Sequence, residues 1–174
     1  RFLSFRSLNP EILKPLTLKI KDKFKKQIYL APYLYVRHCK YNKFINSEHK
    51  KALLFTEPHY DKYTFKNKGY TFWIPLHNSN KNTGTLCYIK KNKSIEEYFP
   101  INGKNKFNIA NYVLNHKTVE KLIKKNVFPV NCNYGSGLYF NQDILHGAIH
   151  ANKNNRTSIN FQVSYTNLKN IKKK

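Results

Sequence analysis

Three short stretches hold the residues whose types and spacing could do chemistry. The first is Pro58-His59-Tyr60-Asp61, directly after an apolar run. In extended backbone, residues i and i+2 face the same side. His59 and Asp61 can therefore present an imidazole nitrogen and a carboxylate oxygen to one point. The second stretch is Gly137-Leu-Tyr-Phe-Asn-Gln-Asp-Ile-Leu-His146-Gly-Ala-Ile-His150. A late hairpin would return one of its histidines to the first strands. His146 and His150 share a strand face, so spacing does not choose between them. Two imidazoles and a carboxylate on one face of a metal leave three positions open, the donor set of non-haem iron(II) sites. The third stretch is Arg156-Thr157-Ser158, where guanidinium and hydroxyl share a face and can converge on one carboxylate. Arginine suits that task because its planar fork binds a carboxylate through two nitrogens. Of 32 basic residues only four are arginine (Arg1, Arg6, Arg37, Arg156), which sets Arg156 apart from the general surface charge. The plainer alternatives are a hydrogen-bonded strand-end histidine and a salt-bridging arginine at a strand start.

The elements that must position these residues are mostly strands. Residues 28–38 are rich in β-branched and aromatic side chains and read as a strand, with Pro32 marking an edge or a bulge. Residues 52–57, 70–77, 85–90, 137–141, 144–150 and 156–165 read likewise, separated by polar turns. Residues 117–125 predict a helix whose Val119, Leu122 and Ile123 share a face. Short strands with a few flanking helices predict a mainly β chain folded as an antiparallel sandwich or jelly roll. No internal repeat and no Gly/Ser/Pro-rich linker divides it. The expected organisation is a lead-in over 1–27, one jelly-roll domain over 28–168 and a basic tail over 169–174.

Composition narrows the partners. The chain has 174 residues, enough for one domain with a substantial core, and its 12 Phe and 13 Tyr argue against disorder. No apolar run is long enough for a membrane helix, and no signal peptide is visible. Cys39, Cys87 and Cys132 are odd in number and form no Cys-x-x-Cys, so they read as free thiols of a reducing, cytoplasmic compartment. The formal charge of +23 favours an anionic partner. The lysines are scattered and form no aromatic-interleaved stripe, zinc finger or RNA-recognition motif, so nucleic acid is disfavoured. A small acidic or phosphorylated metabolite or sugar is the expected substrate.

Taken in order, His59-x-Asp61, Trp73-Ile-Pro-Leu76, Gly84-Thr-Leu86, Gly137 through His146, and Arg156-x-Ser158-Ile-x-Phe161 resemble the iron(II)- and 2-oxoglutarate-dependent dioxygenases. The resemblance is closest to the phytanoyl-CoA dioxygenase-like branch and its relatives in antibiotic and sugar biosynthesis. It implies a double-stranded β-helix (cupin-like) with iron(II) held by His59, Asp61 and His146 rather than His150. It also implies 2-oxoglutarate paired with Arg156 and Ser158, and molecular oxygen as the second substrate. Trp73, Thr85 and Arg37, which shares a face with Tyr33 and Tyr35, are the further cosubstrate contacts it suggests. A carboxylate at 61 points to hydroxylation, with desaturation or ring chemistry as alternatives, since related halogenases carry a small residue there. Two departures stand out. Gln162 replaces a second arginine common among relatives, and Lys-Lys-Asn-Lys-Ser at 90–94 replaces a Pro-Gly-Ser-His-like turn. The alternative readings are a metal-dependent cupin without oxygenase chemistry, such as a sugar isomerase or binding module, and a basic module for nucleic acid or another anionic polymer.

Overall fold

Nine strands and three helices follow one another in a computed structural model that describes residues 2–4, 10–24, 27–39, 52–61, 69–100, 109–150 and 155–166. In chain order they are β1 (Phe2–Ser4), α1 (Pro10–Phe24), β2 (Gln27–Cys39), β3 (Leu54–His59), β4 (Gly69–Pro75), β5 (Leu86–Ile89), α2 (Lys93–Tyr98), α3 (Ile109–Ile123), β6 (Val127–Pro129), β7 (Leu138–Asn141), β8 (His146–Ile149) and β9 (Arg156–Thr166). A single 3₁₀ turn over Lys124–Asn126 joins α3 to β6. The strands form two antiparallel sheets, β1-β2-β9-β4-β7 and β3-β8-β5-β6. This is the jelly roll expected from the strand pattern, in the form of the double-stranded β-helix that the resemblance implies. The expected basic tail at 169–174 lies outside the described residues.

The apolar residues are distributed unusually for a sandwich, whose two inner faces ordinarily interdigitate as its core. Here the two clusters lie on the outer faces. Phe161 and Val163 of β9, with Phe72 and Ile74 of β4, pack against Ile20 and Phe24 of α1. On the smaller sheet, Leu54, Cys87 and Ile89 pack against Ile95 of α2 and Val119 and Ile123 of α3. Strand alternation then turns the opposite, polar faces toward each other: Thr71 and Ser158 from the large sheet, His146 and Thr56 from the small one. Each buried aliphatic side chain contributes about 1.5–3 kcal/mol, so the outer clusters stabilise sheets whose inner faces are free for chemistry.

The long β2–β9 ladder carries an irregularity at Pro32. Leu30 faces Val163 while Leu34 faces Phe161, so β2 spends four residue steps where β9 spends two. The bulge is therefore present, but β2 is not an edge strand, because β1 pairs with its Tyr33–Tyr35 segment. The lead-in proves to hold β1 and α1, and beyond it two elements escaped the sequence reading. α2 begins inside the 90–94 stretch because the Asn92 side chain caps it, accepting from the Ile95 amide at 2.9 Å. β6 is three residues long and follows the helix without a turn signal. The predicted helix at 117–125 begins earlier, at Ile109, and buries Val119 and Ile123 as its pattern requires.

Candidate metal centre

Strands β3 and β8 run antiparallel with His59 directly opposite His146. The chain leaves β3 at His59, and Tyr60 turns the other way into the outer apolar cluster. There its hydroxyl donates to the Phe99 carbonyl at 2.8 Å, and burial first, then the Glu96 and Asp143 charges, push its pKa up to about 12. With Tyr60 anchored outward, His59 and Asp61 both face the space between the sheets. Gly147, next to His146, permits the close approach of β3, since a Cβ there would lie 3.0 Å from Leu54 Cδ1.

The three side chains converge. Asp61 Oδ1 lies 3.8 Å from His59 Nε2, and Asp61 Oδ2 lies 3.6 Å from His146 Nε2. One donor atom from each falls within 4.8 Å of the others. Both imidazoles are oriented by their own backbone. His59 Nδ1 sits 2.7 Å from the Glu57 carbonyl and His146 Nδ1 3.0 Å from the Ile144 carbonyl. A carbonyl only accepts, so each Nδ1 carries a proton and each Nε2 is the atom turned to the shared point. Burial, then neighbouring His59, lowers the His146 pKa to about 4, so this ring is neutral near pH 7 and its Nε2 keeps its lone pair. Two imidazole Nε2 atoms and a carboxylate form a donor set that fits a divalent transition metal.

The remaining walls come from the large sheet. An open-mouthed cavity is lined by the three converging residues together with Trp73, Arg156 and Ser158. Arg156 is 4% exposed and Ser158 1%, so this cation and hydroxyl sit largely out of water in the same cavity as the metal donors. Their placement fits a small dicarboxylate bound between metal and guanidinium. Trp73, 1% exposed, forms part of the wall. Arg37 also lines the cavity but from an exposed position, register-paired with Ser158.

The structure does not bring Thr85 to the cavity. Its hydroxyl donates to the Val130 carbonyl at 2.6 Å, and the next residue, Leu86, reaches the cavity instead. His150 lies outside the converging group. Sequence reasoning missed Thr71 and Asn160, and it noted Gln162 only as a departure from relatives, without its contact. Thr71 donates to Asp61 Oδ2 at 2.7 Å, Gln162 Nε2 donates to the Asp61 carbonyl at 3.3 Å, and Asn160 Oδ1 accepts from Ser158 Oγ at 3.1 Å. Alternation could have found them, since 71 shares a face with Trp73, and 160 and 162 share one with Arg156 and Ser158.

The phytanoyl-CoA dioxygenase (PhyH) family pattern matches residues 9–158. Among curated proteins, none matches the chain. Among solved structures, the chain is similar to the epimerase SnoN from nogalamycin biosynthesis, solved with Fe³⁺, alpha-ketoglutarate and nogalamycin RO. That likeness has 15% identity and a TM-score of 0.55, and covers 94% of this chain and 62% of that one. It is also similar to AviO1 from Streptomyces viridochromogenes, with 14% identity, a TM-score of 0.54, and 86% and 56% of the two chains covered. HygX from Streptomyces hygroscopicus, solved with nickel and 2-oxoglutarate, gives 13%, 0.51, and 95% and 70%. At these identities the likeness establishes the fold. The chain spans 56% of the length of AviO1 and 62% of that of SnoN.

Proposed function

The chain belongs to the phytanoyl-CoA dioxygenase (PhyH) family, and we propose that it hydroxylates a small, anionic metabolite or sugar using molecular oxygen. The family depends on iron(II) and 2-oxoglutarate. The observation that carries the reading is the convergence of His59, Asp61 and His146 in one cavity with buried Arg156 and Ser158.

His59 and His146 would hold iron(II) through Nε2, each ring aimed by its Nδ1–H bond to a carbonyl two residues back. Asp61 supplies the anionic ligand. Arg156 and Ser158 bind the far carboxylate of 2-oxoglutarate, and Trp73 packs along it. When bound, the iron and 2-oxoglutarate together supply an oxidant made from oxygen as 2-oxoglutarate becomes succinate and carbon dioxide. The two sheets exclude water from that space. Arg37, at the exposed side of the cavity, meets the cosubstrate or the acidic group of the substrate. The carboxylate at 61 supports hydroxylation as the outcome. Arg156 and Ser158 favour this reading over a cupin that lacks the cosubstrate, which has no need of such a clamp. They also favour it over a basic binding module, whose charge would lie on the surface.

Anaerobic titration tests the reading. Addition of iron(II) and then 2-oxoglutarate should raise a weak visible charge-transfer band that saturates at one iron per chain. Admission of oxygen should then release succinate slowly. Absence of the band at full iron loading would remove the cosubstrate and leave a metal-binding jelly roll. Product analysis with candidate substrates separates hydroxylation, which adds one oxygen atom to the substrate, from epimerisation, which leaves its mass unchanged.

A further inference from the structure

We infer that Thr71 and Gln162 are positioning residues that hold Asp61 in its ligating orientation by gripping it from the opposite sheet. The inference rests on the metal-centre reading above. Asp61 lies two residues beyond β3, where no ladder bond of that strand fixes it. Thr71 on β4 and Gln162 on β9 are direct register partners, so they present side chains to one spot. Thr71 Oγ1 donates to Asp61 Oδ2 at 2.7 Å, a short bond of the charge-assisted kind. Thr71 is 4% exposed, so bulk water does not compete for its hydroxyl. Its β-branched side chain is stiff about χ1, which pre-aims the hydroxyl. The carboxylate plane is thereby set, and Oδ1 is turned toward His59 Nε2 at 3.8 Å.

Gln162 holds the other end of the same residue. Its Nε2 donates to the Asp61 main-chain carbonyl at 3.3 Å. Its Oε1 is a buried oxygen without a hydrogen-bond partner among the described residues. A buried amide left half-satisfied is costly, and it calls for an explanation. The explanation offered here is the grip on Asp61, because only the amide nitrogen can face a carbonyl. An arginine at this position, as in the relatives that carry one, would bring a charge beside the metal ligands. Glutamine makes the contact without it.

The test is metal affinity, measured with cobalt(II) and, without oxygen, with iron(II). Trp73 is the only tryptophan and lines the cavity, so quenching of its fluorescence reports binding directly. Thr71→Val should weaken metal binding by about 10–100-fold, the usual cost of losing a partner that orients a ligand. It should also shift the visible spectrum of bound cobalt(II), while Thr71→Ser, which keeps the hydroxyl, restores both. Gln162→Leu should weaken binding to a smaller extent. If valine proves too disruptive to fold, Thr71→Ala is read in its place. Wild type that binds no metal overturns the metal-centre reading and this inference with it. Wild type that binds metal while the Val and Ser variants bind equally tightly, with identical cobalt spectra, overturns only the positioning role.

Discussion

Replacing Arg156 separates cosubstrate binding from metal binding. The guanidinium is 4% exposed and Ser158 beside it 1%, so a carboxylate bound there would be largely desolvated. Losing one partner of such a pair costs about 2–5 kcal/mol, much of it from stranding the other charge. At 1.4 kcal/mol per decade, Arg156→Ala should weaken 2-oxoglutarate binding by roughly 30-fold to several-thousand-fold. Arg156→Lys keeps the charge and loses the planar fork, so it should fall between wild type and alanine. Ser158→Ala removes a single hydrogen bond to a charged group, about 1.5–3 kcal/mol, and should cost about 10–150-fold. Iron binding should survive in all three variants, since neither residue belongs to the converging donors. The assay is the 2-oxoglutarate dependence of the charge-transfer band at equal iron loading. Coincident curves for wild type, Lys and Ala would refute the clamp and, with it, the case against a cupin that lacks the cosubstrate.

His146→Ala should abolish iron binding while His150→Ala retains it, measured by metal content after anaerobic loading; the reverse would move the site along β8. Asn160→Asp should weaken 2-oxoglutarate affinity by about tenfold or more, because a carboxylate there would hold more tightly the Ser158 proton that Asn160 Oδ1 already accepts, and would repel the bound anion. Ile123→Ala, in the cluster outside the small sheet, should lower unfolding stability by about 2–5 kcal/mol in denaturant titrations and leave metal affinity unchanged. A loss of metal affinity in that folded variant would refute the separation of core from site.

What could be read from the sequence was what period and residue type determine locally. Alternation placed His59 with Asp61 and Arg156 with Ser158 on common faces, and the apolar runs located most of the strands. The three stretches are far apart in the chain, so their assembly depends on register. The pairing of His59 with His146 is a fact of the β3–β8 ladder, which contains irregularities that alternation does not forecast. Thr85 shows the same limit. Its type suits a cosubstrate contact, but its hydroxyl is used by Val130, and Leu86 faces the cavity. Thr71 and Gln162 show another limit. Alternation puts each on the right face, and Gln162 stands out as a departure from relatives, but their contact with Asp61 arises only where two strands of one sheet face a residue attached to the other. The helix α2 was legible in principle, since Asn92 three residues before Ile95 is a capping signal. The run of lysines around it concealed the pattern.

The placement of the apolar clusters explains how so polar an interior is sustained. Both clusters lie outside the sheets, beneath α1 on one side and α2 and α3 on the other. The sheets are therefore stabilised without filling the space between them, which in an ordinary sandwich is about 10 Å of interdigitated side chains. The two inner faces contribute different chemistry. His59 and His146 come from the small sheet, with Asp61 just beyond β3, while Arg156 and Ser158 come from β9 of the large one. A dicarboxylate held by metal at one end and guanidinium at the other must bridge the sheets, so its binding depends on their separation. Thr71 and Gln162 connect the same two sheets through Asp61. On the proposed reading, the residues that set the metal ligand also help to set the gap the cosubstrate must span, and metal and cosubstrate geometry would be coupled through the protein before either is bound.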